Sequence, residues 1–416
     1  MDEYRWNVGI DSGSQTHEVC VVGPQGEAAP PFTVAHTNEG IEALLTRLEN
    51  LAGGDLSQVA VGIESPRGAV VDALVKRGAH VYAINPKQAD RFRDRISPAG
   101  AKDDSRDSFV LGVSLRTDRH CFRRVEIDSP EEIELREMGR VDDELGEDRG
   151  RMTNRLREQL NRYWPGVLAL CPAADEPWFW ALLDRAPEPA AARRLTRAAV
   201  AAVLKEKRIR RLSADEVLSA FRALALPVAP GAVEAVAVRV QLLVEQLQLV
   251  HRQRRSIESR LKAGLERLQA TEAPDDGKHT DVEIVRSLPG VGLRVASALL
   301  GEAAQFLARR DHKALRNHAG LAPITRQSGK SRRVVMRRAC NGRLRNAMYH
   351  WARVSAIYDP HSKARYAALR TKGHSHARAL RSLGDRLLAQ LMAMLKKGSL
   401  YEPDRARRAH AGAVSC

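Results

Sequence analysis

Two short runs near the start of the chain, WNVGID and VAVGIE, are almost wholly apolar, and each is closed by a carboxylate, Asp11 and Glu64. Runs of this kind read as buried strands. An acid closing such a strand emerges at the sheet edge, where a site can form.

The segments around them alternate in the same way. WNVGID and HEVCVV, joined by the polar SGSQT, form a hairpin; GIEALLTRLENLA is helical by the spacing of Ile41, Leu44, Leu45, Leu48 and Leu51. VAVGIE follows as a strand, AVVDALVKRG as a helix ended by Gly78, and HVYAI as a strand stopped at Asn85-Pro86. Strand pair, helix, strand, helix, strand over residues 6 to about 125 predicts an α/β unit of the ribonuclease-H-like type.

Two further acids, Asp104 and Asp107, stand three apart in KDDSRDSFVLG. That spacing sets both on one face of a helix whose apolar face is Phe109, Val110 and Leu111. Two carboxylates then face the other two. Four clustered anions repel unless cations sit between them, and hard oxygen donors at this density suit Mg²⁺ or Mn²⁺. The four acids predict a two-metal phosphoryl-transfer site. Capping or surface charge explains any one of them, but not two acids closing nearly pure apolar runs. Lys102, beside the acidic pair, is a candidate phosphate contact, whereas His17, His36 and His318 show no ligand spacing.

The second part of the chain is helical. Residues 130–165 carry Met138, Val141, Leu145, Met152, Leu156 and Leu160 as one apolar stripe on a charged helix. A matching helix of about 36 residues, roughly 50 Å, runs from Val233 to Leu268. Its stripe, Val236, Val240, Leu243, Leu247, Val250, Ile257 and Leu261, is interrupted by Arg254 where an apolar residue is due. Together they predict a long antiparallel coiled coil, able to space domains or join protomers. The insert between them, 166–230, with Trp178, Phe179, Trp180 and the run KEKRIRR, reads as a small helical subdomain with its aromatics inside.

The turn-rich TEAPDDGKHTD marks a linker. Beyond it, IVRSLPGVGLRVASALLGEAAQF reads as a helix-hairpin-helix-like pair, in which Gly290 and Gly292 let backbone amides at the second helix approach a phosphate. Residues 309–345 follow, with Arg316, Arg326, Lys330, Arg332, Arg333, Arg337, Arg338, Arg343 and Arg345 against the single acid Asp311. Each phosphate neutralised there steepens the log–log salt dependence of binding by about 0.9. Within this stretch, Gln-Ser-Gly-Lys places the hydroxyl of Ser328 in a turn among guanidinium groups, surroundings that favour attack on a phosphodiester. The predicted domains are 1–128, 129–270, 271–400 and a disordered tail, 401–416.

A polyanionic partner also follows from charge: 67 Lys and Arg against 51 Asp and Glu give a net +16. Cys20, Cys121, Cys171, Cys340 and Cys416 show no paired metal-ligand spacing and read as reduced thiols. MDEYRWNVGI has no apolar signal core and no stretch reaches about 18 uncharged apolar residues, so the expectation is a cytoplasmic protein with no membrane partner.

The succession GID, GIESPRG, NPKQADRFRDR, AKDDSRD, LPGVG and HAGLAPITRQSGK with NGRLRNAM resembles the DEDD transposases of the insertion sequence 110 family. The likeness covers the first domain, the long helices and residues 284 to about 352, but not the insert. It implies a RuvC-like domain holding metal on Asp11, Glu64, Asp104 and Asp107, and a C-terminal transposase domain whose serine, Ser328 by position, attacks DNA. It further implies a phosphoserine intermediate, a composite site in a homo-oligomer (dimer or tetramer), and a structured bridge RNA that pairs with donor and target DNA. The chain departs from the family in two places. Asp103 stands where Thr or Ser is usual, so Asp103 competes with Asp104, which is preferred because it keeps the three-residue step to Asp107. Cys340 replaces a glycine before Asn341. Ser331 is a second hydroxyl nearby, ranked below Ser328.

The leading expectation is therefore an RNA-guided, serine-using transposase of an insertion sequence. A hydrolytic junction resolvase, a site-specific invertase of the same family and a non-catalytic nucleic-acid-binding protein are the alternatives.

Overall fold

The computed structural model of the chain describes residues 4–96, 103–229, 231–272, 278–329 and 331–403. They divide into two units at Asp128 and Ser129.

The first unit is built on one mixed sheet: β1 (Trp6–Ser12), β2 (Thr16–Val22), β3 (Phe32–Ala35), β4 (Val59–Ile63), β5 (His80–Ala83) and β6 (Arg123–Arg124), in the order β3-β2-β1-β4-β5-β6. β1 pairs antiparallel with β2 and parallel with β4, and β4 is parallel to β5. Every residue of β4 is buried, as a nearly pure apolar run in a covered parallel strand must be. On one face, Val8, Ile10, Val61 and Ile63 pack with Leu44, Leu45 and Leu48 of α1 (Asn38–Leu51) and with Val70, Val71 and Leu74 of α2 (Ala69–Lys76). On the other, Ala60, Tyr82 and Ile84 meet Ala89 of α3 (Pro86–Ile96) and Leu111 and Leu115 of α4 (Asp104–Asp118).

In this unit the sequence reading misses β3, β6 and α3. β3 and β6 are too short and polar to show a period of two. Asn85-Pro86 ends β5, as expected, but Pro86 then opens α3. Proline is suited to a first helical position because its missing N–H would have no partner there, and the Asn85 side chain accepts from the Lys87 amide at 2.9 Å.

The second unit begins with α5 (Pro130–Tyr163), started by a reciprocal cap between Ser129 and Glu132 and by Pro130. A second long helix, Ala232–Thr271, spans 40 residues, roughly 60 Å. The two run antiparallel: Glu134 pairs with Arg267, Asp142 with Arg254, and Leu156 and Leu160 share a core with Val236 and Val240. The break in the apolar stripe at Arg254 is thereby explained. The guanidinium faces the buried Asp142 in a two-pronged bond of 3.0 and 3.1 Å, so a polar residue on one helix answers a polar residue on the other.

Trp178, Phe179 and Trp180 of the insert are fully buried in the core at that end of the helix pair; Trp180 Nε1 donates to the Ala174 carbonyl at 2.8 Å. At the opposite end, Leu135, Leu261, Leu265 and Leu268 join Ile284, Leu299, Trp351 and Leu391 in one core. The long helices and the segment beyond 280 are thus continuous in packing. No helix among the described residues is long and apolar enough to cross a membrane.

Candidate active site

The site in the first unit depends on glycines. Val8 and Ile10 of β1 point towards α1, so Gly9 and Asp11 point the other way, towards α4. A Cβ at Gly9 would lie 1.9 Å from the Ser108 carbonyl oxygen and 2.5 Å from the Gly112 nitrogen. On α4, a Cβ at Gly112 would lie 3.2 Å from the Gly9 nitrogen. Backbone meets backbone here, and only glycine allows it. In the parallel register Gly9 pairs with Gly62 and Ile10 with Ile63, so one more step sets Asp11 beside Glu64, on the same face as α4.

α4 seated on these glycines carries Asp107 to that end of the sheet. Asp107 is 5% exposed, Asp11 and Glu64 are half-buried, and Asp104 is exposed one turn earlier. Burial pushes the Glu64 carboxyl above the usual carboxylate range, and the charges of Asp11 and then Asp107 push it further, against the pull of Arg93. Asp11, Glu64 and Asp107 therefore form one electrostatic group. Asp103 is the N-cap of α4, its carboxylate accepting from the Ser105 amide at 3.3 Å. Capping occupies Asp103 and leaves Asp104, on the first turn, three residues before Asp107.

Arg93 is the residue that the sequence reading passes over. Its Nε donates to Asp107 Oδ1 at 2.7 Å and its Nη1 to Asp90 Oδ1 at 2.9 Å. The signal was present in DRFRDR, where Asp90 and Arg93 have the one-turn spacing of a helix ion pair, but nothing in the sequence shows that Arg93 also reaches Asp107.

The donor set, carboxylate oxygens placed at one end of the sheet, is of the type that suits a hard divalent cation such as Mg²⁺ or Mn²⁺. The acids are spaced more widely than a single shared ligand shell: among the described residues, the group with three ligand atoms within 4.8 Å of one another is Asp118, His120 and Cys121, at the far end of α4. Cys20 and Cys171 are buried free thiols, pushed up by burial, and Cys121 is exposed.

In the second unit Ser328 is not in a turn. It is the last residue of β7 (Ile324–Ser328), which pairs antiparallel with β8 (Ser331–Val335) as a tight hairpin. Gly329 has φ +54°, the left-handed conformation that such a turn demands. Ser328 lies directly opposite Ser331, and Arg326 opposite Arg333, so by the strand period both hydroxyls and both arginines share one exposed face. Arg332 and Arg338 are exposed as well. Lys102 and Lys330 lie outside the described residues.

Several other expected nucleic-acid contacts have neighbours within the protein. Arg343 donates to Asp143 at 2.8 Å and to the Arg140 carbonyl at 3.3 Å, and Arg316 makes a two-pronged bond to Asp385 at 2.6 and 2.8 Å. Arg345 reaches the Cys340 sulfur at 3.7 Å, and Arg337 is half-buried. Gly290 has φ +79°, and a Cβ there would lie 2.5 Å from Ser355 Oγ. Its turn is fastened to helix Gly342–Tyr358, because the Pro289 carbonyl accepts from Trp351 and Ser355 at 2.9 and 2.8 Å. Gly290 serves packing; Gly292 is exposed at the start of helix Leu293–Glu302 without a side-chain cap. Cys340 fits against Gly320, and Asn341 caps the next helix by accepting from the Leu344 amide at 2.9 Å.

A transposase family model matches residues 8–165, and a model described as transposase IS116/IS110/IS902 family matches 282–367. A mini-circle putative transposase for IS117 from Streptomyces coelicolor is 30% identical over 408 residues, covering 96% of this chain and 95% of the relative. The chain belongs to the IS110 family of transposases. A putative transposase, y4uE, of Sinorhizobium fredii is 42% identical over 214 residues, 51% of this chain and 60% of that relative. The insertion element IS900 42 kDa protein of Mycobacterium paratuberculosis is 27% identical over 410 residues, 95% of this chain and 96% of the relative. The first family match takes in all four acids of the transposase and Arg93, and the second takes in the β7–β8 hairpin.

Proposed function

We propose that this transposase cuts and rejoins DNA strands by transesterification, with Ser328 as the nucleophile and Asp11, Glu64, Asp104 and Asp107 as the metal-holding group. On this reading the first unit is a RuvC-like, ribonuclease-H-type nuclease domain, the two long helices are a coiled coil, and residues 282–302 form a helix-hairpin-helix-like support. The observation that carries it is the placement of Asp11, Glu64 and Asp107 at one end of a covered sheet, where burial and then the charges of Asp11 and Asp107 raise the Glu64 carboxyl. A carboxyl raised by burial and by neighbouring acids marks a candidate functional site.

Ser328 Oγ forms a bond to phosphorus, its proton passes to solvent, and the 3′ oxygen of the DNA strand leaves. The ester bond is conserved as a phosphoserine, so rejoining needs no ATP. Arg326 and Arg333, on the face of the hairpin that carries Ser328, would stabilise charge developing on the phosphate oxygens. When bound, Mg²⁺ or Mn²⁺ would supply Lewis-acid stabilisation of the scissile phosphate. The net charge of +16 and the exposed arginines of the hairpin support donor and target DNA and a structured guide RNA as partners, with the transposase acting as a homo-oligomer.

Trapping on a nicked DNA substrate tests the nucleophile. Ser328→Ala abolishes the covalent protein–DNA adduct and leaves DNA binding intact, whereas an undiminished adduct overturns the assignment. The cross-strand position of Ser331 gives a specific second reading, in which Ser331→Ala, and not Ser328→Ala, removes the adduct. Sequencing of co-purifying nucleic acid tests the guide: a single structured RNA is expected, and random cellular RNA would refute it.

A further inference from the structure

We infer that Arg93 is a built-in counter-cation of the carboxylate site, which binds Asp107 while no metal is present and must release it before a divalent ion can bind there. The inference rests on the reading of Asp11, Glu64, Asp104 and Asp107 as the metal-holding group and adds a control on that site.

Two observations carry it. First, the side chain of Arg93 is 16% exposed and that of Asp107 is 7% exposed, so their 2.7 Å bond lies in a largely water-excluded setting, where it is stronger than a surface ion pair. Second, the guanidinium is held from both sides. Its other end donates to Asp90, itself exposed and one helical turn away on α3, so Arg93 has somewhere to remain when Asp107 lets go. Arg93 is therefore a positioning residue: it keeps the metal-free acids from driving one another apart, and it competes with the ion for one of them.

The balance of charge explains why a resident arginine is compatible with function. Of the four acids Arg93 is bonded to Asp107, and one positive charge offsets one negative charge, which leaves the site able to attract a divalent ion. Displacing it costs part of that affinity and makes metal occupancy conditional. A DNA phosphate drawn to the released guanidinium would favour the metal-bound state, and by linkage the metal would favour the phosphate equally.

The test measures metal binding, not turnover, on the full-length chain. Titration with Mg²⁺ or Mn²⁺ in a calorimeter gives the dissociation constant, with Asp11→Asn as the control for the site itself. Arg93→Gln should tighten binding about tenfold and lower the melting temperature of the metal-free chain. Arg93→Lys, which keeps the charge, should stay near the wild-type affinity. In the unaltered chain, saturating Mg²⁺ should shift the Arg93 Nε–H resonance, a reading that does not depend on the variant folding. Unchanged or weaker metal binding in Arg93→Gln, or an Nε–H resonance unmoved by saturating Mg²⁺, would overturn the inference. Absence of divalent binding in the wild type, or binding unaffected by Asp11→Asn, would instead overturn the site reading on which it rests.

Discussion

Asp142 and Glu64 are both carboxylates drawn into the protein, one on the long helix α5 and the other at the end of β4, and their surroundings are opposite. Burial alone would raise Asp142, but the guanidinium groups of Arg254 and Arg294 more than offset it and hold it below the usual carboxylate range. Glu64 is pushed up by burial, and its nearest charged neighbours are mostly acids. A buried acid matched by cations is a fastener. A half-buried acid among other acids is raised instead, and Arg93 offsets that only in part.

The largest effect should come from breaking the matched acid. Asp142→Asn leaves Arg254 buried against a neutral partner and should destabilise the second unit by about 3–5 kcal/mol, read by urea unfolding. A loss below about 1 kcal/mol would show that Asp142 is no fastener.

Filling the unmatched site is expected to come next. Mg²⁺ at one hundred times its dissociation constant should stabilise the wild-type chain by about 2.7 kcal/mol, and should do nothing for Asp11→Asn. Equal stabilisation of both proteins would place the ion elsewhere.

A third experiment disturbs the seat of α4. Gly9→Val drives a side chain into the Ser108 carbonyl and should cost about 1–3 kcal/mol. It should also return the Glu64 titration, followed by NMR, towards the ordinary range, because Asp107 moves away.

The smallest effect separates the two acids by pH. The folded-state value of Asp142 is lowered, so its contribution is fully present above the ordinary carboxylate value and is lost as pH falls through the lowered one. That of Glu64 is raised, so the metal-free folded state binds the proton more tightly and stability declines as pH rises from the ordinary value through the raised one. Glu64→Gln should remove that decline and slightly stabilise the metal-free chain at neutral pH; a loss of stability would mean that Glu64 is matched after all.

Much of the fold can be read from the chain because the strongest signals are local. The apolar runs that became β1 and β4, the period of α1 and the stripe of the second long helix each arise from residues close in sequence. β3 and β6 are invisible because a strand of four residues or two carries no period, and its pairing comes from its neighbours. The same holds at the site. Asp11, Glu64 and Asp107 can be chosen from their places at strand ends and on a helix turn, whereas Arg93 cannot, because a bond between α3 and α4 has no one-dimensional signature. The surroundings of Arg343 and Gly290 are hidden for the same reason: composition shows a basic residue or a glycine but not the acid or helix against it.

The sequence by itself determined the longer strands and helices of the first unit, the two long helices, which of their faces are apolar, and which acids stand at the ends of buried runs, since these follow from spacing along a chain of known geometry. Only the tertiary structure decided what each charge faces: Arg254 against Asp142, Arg93 against Asp107, and Ser328 across from Ser331. An isolated side chain has the same chemistry everywhere; whether it fastens, repels or reacts is set by the partners that folding brings within a few ångströms of it.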